Sequence, residues 1–400
     1  MRVCDLTQFY SPRSGGVKRY LSEKQRYVES NGKDEHYLVI PGERTGSWHG
    51  ERTHVYTVAS PRVDRTSRYR ILWNLRQVRL LLEKIQPDVI EVGDPYQLAW
   101  AALATGARLG CPVVGFYHSH FPDAYLRTLA RYGGRWAERV AFAGARLYIR
   151  ELYRRFGFTL VASHRLYQLL RDWGVANVVR IPLGVDTEVF CPSGKDWEWR
   201  KTCGVPRDAF LLLYVGRLSR EKNIGTLLSA FARLRKGGQR QLWLLVIGDG
   251  PLRFRVAQTA REVGGLVWVE YVESKEELAR YYRCADLFVH PGIVETFGLV
   301  ALESQACGCP VIGIRGTQMD ENILWGLEYW ADANSPDSLA EAILGARRVD
   351  LSLWGQRVAR EVLQHYTWKH TFGRLWQTYR KALGQEDPSS SCATKTSFVR

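Results

Sequence analysis

None of the eight cysteines forms a CxxC pair, and no cluster of histidines lies near them, so neither a disulfide framework nor a zinc ligand set is indicated. Long apolar runs are missing as well. The opening MRVCDLTQFYSPRSGG meets one charged residue before Cys4 and then Asp5, which leaves no apolar core of signal-peptide length. No later run approaches a membrane span, and a cytoplasmic location is the expectation. Helix-turn-helix, finger and RNP patterns are absent too, which argues against nucleic acid as a partner. No internal repeat is visible. The CGC at 307–309, two near-adjacent thiols at an apolar helix end, reads as packing.

What is present is a chain of 400 residues, 46% hydrophobic, long enough for two domains with sizeable cores. Its formal charge of +15 is concentrated in the first half. Between Arg62 and Lys84, Arg65, Arg68, Arg70, Arg76 and Arg79 are interleaved with Tyr69, Leu72, Trp73 and Leu80, and a second basic run extends from Arg127 to Arg155. Arginines mixed with large apolar residues at helical spacing suit a helix lying on an anionic membrane surface. A solvated helix face is the competing reading.

Strand-like and helical runs alternate along the chain: RVCDLTQFY, KRYLSEKQRYVES, HYLVI, DVIEV, LAWAALATGARLG and CPVVGFYH. After a turn-rich linker near 184–196 the alternation restarts with FLLLYVG, NIGTLLSAFARLRKG, LWLLVIG, LVWVEYV and LFVHP. Two such series predict an α/β protein with two parallel-sheet domains, at 1–188 and 189–366. A last helical run, 367–384, ends the fold, and the polar segment 385–400 reads as a disordered tail.

In open α/β sheets ligands bind at the carboxyl ends of the strands, so the loops there are where chemistry belongs. GRLSREKN places Arg217 and Lys222 on one strand-to-helix loop, with Asn223 and Gly225 opening the helix; two cations beside a helix N-terminus favour an anion. GDGP supplies Gly248 and Gly250 for a tight turn, and SPRSGG supplies Gly15 and Gly16 between the first strand and helix, where backbone can approach a phosphate. Glu295 and Glu303 flank the apolar TFGLVAL. Carboxylates in such a setting accept two hydroxyl bonds at once, and eight residues of helix would separate them by about 12 Å.

YVGRLSREKN, VIGDGP, HPGIVETFGLVALESQACGCPVI and the N-terminal SGGV together resemble the family-4 glycosyltransferases over nearly the whole chain, to about residue 383. The resemblance implies a GT-B fold, two Rossmann-like domains facing across a cleft, with the last helix crossing back to the first. It implies retaining transfer from a nucleotide-sugar donor with no metal or other cofactor: no DxD motif follows a strand, and Arg217 and Lys222 would stabilise the departing diphosphate. Glu295 would bind donor-sugar hydroxyls and Glu303 the ribose. Phe297, Gly298 and Leu299 would offer backbone N–H groups from a helix N-terminus, and Gly15, Gly16 and Gly248 would approach the donor. His118 matches the cleft histidine of the family, with His120 and Asp94 as weaker acceptor-side candidates. Thr296 and Leu183 stand where the family often has glycine and asparagine.

FYHSHFPDAY is similar to segments of glycosyltransferases that modify lipids, which favours a hexose donor, GDP-mannose ahead of UDP-glucose, and a lipid or glycan acceptor. Peripheral contact with an anionic membrane agrees with the basic first domain. A sugar-nucleotide epimerase or a non-catalytic relative would share the fold, but Arg217, Lys222, Glu295 and Glu303 argue for transfer.

Overall fold

A computed structural model of the chain describes residues 1–8, 10, 15–63, 69–118, 127–295, 297–322, 324 and 326–385. His120, Thr296, Arg65, Arg68 and the expected disordered tail lie outside them, apart from residue 385. The chain divides into two units, Met1–Ile181 with the segment from Thr371 onward, and Pro182–His370.

In the first unit β1 (Arg2–Leu6), α1 (Gly15–Asn31), β2 (Glu35–Gly42), β3 (Gly46–His49), β4 (Thr53–Ala59), α2 (Leu75–Ile85), β5 (Val89–Val92), α3 (Gln97–Leu109), β6 (Val113–Phe116), α4 (Arg127–Tyr153), β7 (Phe158–Val161), α5 (His164–Asp172) and β8 (Val178–Arg180) follow one another. They form an eight-stranded sheet in the order β3-β4-β2-β1-β5-β6-β7-β8. β5 and β6 are buried along their whole length, which is why they read as continuous apolar runs. The expected parallel sheet has one exception: β3 pairs antiparallel with β4. Only Gly50 to Arg52 separate these strands, with Gly50 N donating to Thr53 O at 2.8 Å, and a connection that short permits a hairpin and no crossover.

The arginine-rich run is helical only in part. α2 starts at Leu75, where Asn74 caps it by accepting from the Gln77 backbone N–H, while upstream Val63 N donates to Tyr69 O at 3.0 Å. Leu72 is fully buried, so it belongs to the core, whereas Trp73 and Leu80 are exposed. α4 is broken at Gly134, whose φ of 72° is left-handed.

In the second unit α6 (Trp197–Thr202), β9 (Phe210–Val215), α7 (Ile224–Lys236), β10 (Leu242–Ile247), α8 (Arg253–Val263), β11 (Leu266–Val269), α9 (Lys275–Cys284), β12 (Leu287–Val289), α10 (Leu299–Ala306), β13 (Val311–Ile312), α11 (Pro336–Ala346) and α12 (Leu351–His365) build a five-stranded parallel sheet, β11-β10-β9-β12-β13. The linker from Pro182 belongs to this unit, several residues earlier than the expected boundary. The cause is local pairing: Val185 N donates to Tyr366 O at 2.8 Å, and Gly184 lies so close to Trp368 that a Cβ there would stand 2.4 Å from its backbone N. Cys307 and Cys309 are buried free thiols, as packing residues should be.

The last helix, α13 (Trp368–Ala382), begins in the second unit and, from Thr371, belongs to the first. Its buried Phe372, Leu375, Trp376 and Tyr379 form the apolar face, and Trp376 Nε1 donates to Asp34 Oδ2 at 2.7 Å. Tyr379 reaches a wholly buried ionic cluster. Lys24 Nζ donates to Asp5 Oδ1 at 2.7 Å and to the Tyr379 hydroxyl at 2.7 Å, and lies 3.3 Å from Glu91 Oε2. Glu91 also accepts from Tyr20 at 3.0 Å and from Tyr379. One ammonium serves two carboxylates, and burial pushes the Glu91 carboxyl up to about 7. Lys24→Met should leave Asp5 buried without its cation and lower unfolding stability by about 3–5 kcal/mol in chemical denaturation; a loss below about 1 kcal/mol would show that the cluster does not hold the helix.

Candidate active site

At the carboxyl end of β9, the loop 216–223 passes under the loop 248–252 with almost no space between their backbones. A Cβ at Gly248 would stand 1.9 Å from Gly216 O, and one at Gly250 would stand 2.5 Å from Leu218 O. Both glycines have positive φ, 146° and 157°. Leu218 N donates to Asp249 O at 3.0 Å and Leu252 N to Leu218 O at 2.9 Å. Glycine is required here by contact, and the crossing fixes the strand-end loop that carries Arg217 and Lys222.

Lys222 forms an ion pair with Glu295, so two residues far apart in sequence meet at neighbouring strand ends. His290, at the end of β12, places Nε2 3.5 Å from the same Glu295 oxygen. Burial by itself would raise the Glu295 carboxyl; the Lys222 charge and the hydrogen bond and charge of His290 outweigh it and hold the group at about 2. Asn223, in the left-handed region at φ 55°, locks the loop by donating to Pro291 O and Asn334 Oδ1, both at 2.8 Å. Arg217 is 58% exposed and pairs with Glu221 at 3.7 Å.

Phe297, Gly298 and Leu299 do stand at a helix start, because α10 begins at Leu299 behind Gly298 with φ 78°. Asn322 donates to Phe297 O, and Gln305 Nε2 donates to Asn322 O at 2.8 Å, so a neighbouring loop clamps this N-terminus. The two glutamates are not separated by the continuous helical rise expected from their spacing. Glu295, Phe297 and Gly298 precede the helix, and Glu303 lies one turn into α10. Glu303 is 1% exposed and accepts from the Tyr282 hydroxyl at 3.1 Å.

Gly15 and Gly16 open α1 in the first unit, Gly15 with φ 54° and, among the described residues, nothing within 4 Å of a Cβ placed there. His118, just beyond β6, stacks on Phe116 at 4.0 Å between centroids and 7°, and takes the edge of Tyr20 at 5.3 Å. Burial lowers its imidazole to about 3, so the ring is neutral at physiological pH and serves as a hydrogen-bonding group. Asp94 lies at the end of β5, 1% exposed, its Oδ2 accepting from Gln8 N at 2.8 Å.

Residues 195–346 match the glycosyl transferases group 1 family, and residues 14–189 match glycosyltransferase family 4. A GDP-mannose-dependent alpha-(1-6)-phosphatidylinositol dimannoside mannosyltransferase of Mycobacterium tuberculosis is 31% identical over 98% of both chains. The chain is a family-4 glycosyltransferase. A GDP-mannose-dependent alpha-mannosyltransferase of Corynebacterium glutamicum is 29% identical over 79% of this glycosyltransferase and 72% of that protein. Among solved structures, sucrose-phosphate synthase of Thermosynechococcus elongatus shares the GT-B fold with a TM-score of 0.75 at 19% identity, over 96% of this chain and 100% of that one.

Sequence reading of the glycosyltransferase missed His290 and underused Asn223. A polar residue directly after the apolar strand LFV was the available signal for His290; nothing in the sequence indicated that Asn223 would bridge three loops. Lys222→Met should raise the Glu295 carboxyl from about 2 toward its ordinary 4.5, read by carboxyl NMR titration. A group depressed in the folded state adds stability above its unfolded pKa and loses it as pH falls through the folded one. The destabilisation caused by Lys222→Met should therefore shrink as pH falls from 4.5 toward 2; an unmoved Glu295 titration would refute the pairing.

Proposed function

We propose that the enzyme transfers a hexose with retention from a nucleotide-sugar, mannose from GDP-mannose first and glucose from UDP-glucose second, to a lipid or glycan acceptor at the membrane surface. The observation that carries this reading is the Lys222–Glu295 pair, a cation and a carboxylate held together at the strand ends where a donor binds. The substrate class is drawn from relatives named as GDP-mannose-dependent mannosyltransferases, one of them acting on a phosphatidylinositol dimannoside.

In this reading Lys222 and Arg217 stabilise the diphosphate as charge develops on it, without a metal ion. The exposed Arg217–Glu221 pair is worth little by itself, so Arg217 exchanges Glu221 for phosphate at small cost. Glu295, ionised throughout the physiological range, accepts sugar hydroxyls, and Glu303, oriented by Tyr282, takes the ribose. The backbone at Phe297, Gly298 and Leu299 serves phosphate or sugar, with Gly248 keeping its loop close and Gly15 and Gly16 admitting the donor. The bond from the anomeric carbon to the phosphate oxygen breaks while the acceptor oxygen bonds on the same face, and the acceptor proton passes to the departing phosphate. His118 contributes a neutral hydrogen bond.

For the membrane, Trp73, Leu80, Trp136, Val140 and Leu147 are exposed large apolar side chains on or beside α2 and α4, among arginines. Part of that charge is already paired, Arg108 with Glu83 at 3.2 Å and Arg155 with Glu151 at 2.7 Å. Contact therefore draws on the apolar residues as much as on charge. No helix among the described residues is long and apolar enough to cross a membrane.

A thermal-shift and hydrolysis screen of GDP-mannose, UDP-glucose, UDP-galactose and UDP-N-acetylglucosamine, with and without EDTA, tests the reaction. GDP-mannose should stabilise selectively, EDTA should change nothing, and Lys222→Ala should cut turnover by about 10²-fold or more; full activity in that variant would remove Lys222 from the site. In vesicle co-sedimentation, Trp136→Ser with Leu147→Ser should weaken binding to anionic liposomes, and unchanged binding would assign that face to solvent.

A further inference from the structure

His290 commits a buried imidazole to one contact. It directly follows β12 and is fixed against the neighbouring strand, its backbone N donating to Ile312 O at 2.8 Å. A Cβ at Gly292 would stand 2.9 Å from His290 Cε1 and 3.7 Å from Glu295 Cγ, so glycine there leaves room for the imidazole beside the carboxylate stem. His290 Nε2 stands 3.5 Å from Glu295 Oε1, while Nδ1 is buried and meets no partner among the described residues. A histidine that served packing alone would gain nothing from this pose, because an unsatisfied buried nitrogen forfeits the hydrogen bond that water would give it. The contact with Glu295 is what the pose secures.

The other partner of Glu295 is Lys222, which has two tasks in the transferase reading. It pairs with Glu295 in the chain as it stands, and it meets the donor diphosphate during transfer. The Lys222 side chain is 29% exposed, on a flexible stem, whereas that of His290 is 5% exposed and held by the sheet. An ammonium drawn toward phosphate leaves a largely buried carboxylate short of a donor, which is costly unless another group faces it. Tyr214 does not fill that place, since its hydroxyl donates to Arg217 O at 2.9 Å. We infer that His290 is a positioning residue that keeps the Glu295 carboxylate in place for the donor sugar while Lys222 turns to the diphosphate. The inference rests on the transferase reading given above and adds a division of labour to it. The mobile cation follows the phosphate, and the fixed imidazole, acting only through Glu295, keeps the carboxylate oriented. The hydrogen bond and charge of His290 already help to hold the Glu295 carboxyl at about 2.

The test uses the full chain with GDP-mannose and GDP, their affinities read by isothermal titration calorimetry; UDP-glucose and UDP replace them if the donor screen selects uridine. His290→Leu should weaken the nucleotide-sugar about tenfold and the bare nucleotide by less than about twofold, because Glu295 holds only the sugar. The Glu295 carboxyl should rise from about 2 in the same variant, followed by carboxyl NMR titration. His290→Gln offers an amide N–H at about the reach of Nε2 and should restore the preference for the nucleotide-sugar; His290→Asn, equally polar but shorter, should not. This pair keeps the test decisive even if His290→Leu unfolds, and thermal melting identifies any variant that does. Equal losses for nucleotide and nucleotide-sugar, or nucleotide-sugar bound by His290→Asn as tightly as by the parent, would overturn the inference. If the parent binds neither ligand, the transferase reading fails, and the Glu295 titration then decides the contact: equal curves for His290→Gln and His290→Asn would refute it.

Discussion

Lys24 carries its ammonium to complete burial between Asp5, Glu91 and Tyr379, and the first unit is organised around the need to satisfy it. β1 supplies Asp5, β5 supplies Glu91, α1 supplies Lys24 itself and α13 brings Tyr379 from the far end of the chain. An unpaired charge in that position would cost several kcal/mol, so the four elements are held to one arrangement. Tyr20 extends the constraint outward: its hydroxyl is fixed by Glu91, and its ring meets the edge of His118. A histidine at a strand end thereby inherits the rigidity of an ionic cluster in the core.

The second unit reaches a comparable rigidity by different means. Where the 216–223 and 248–252 loops cross, backbone meets backbone, and only glycine fits. The crossing sets the loop that presents Lys222, and Asn223 pins its far end to the segments around Pro291 and Asn334. Glu295 is then met by Lys222 on one side and His290 on another. The carboxylate stays ionised although it is buried, ready to accept hydrogen bonds without taking up a proton near neutrality.

Both units follow one design in which parallel strands end together and loops of unlike sequence gather there. In the second unit the gathered groups are ionic, and in the first they are a neutral histidine, an amide and a carboxyl whose charge is held back by burial.

Much of this was legible beforehand. Apolar strands alternating with amphipathic helices implied two parallel sheets, and GRLSREKN with the spaced glutamates pointed to the family, because phosphate and hydroxyl recognition need those residue types after strands. The antiparallel β3–β4 hairpin, the helix start at Leu75 and the buried state of Leu72 were not legible, since short polar connections carry little periodicity. Nor was the placement of Glu303 one turn into α10, because the left-handed Gly298 delays the helix and no local pattern says by how much. The residue types at the strand ends were determined by sequence alone. Which of them meet, Lys222 with Glu295 and His290, Lys24 with Tyr379, Gln8 with Asp94, was decided only in the folded chain, because those partners lie on different elements and only the packing of the sheets and helices brings them within hydrogen-bonding range.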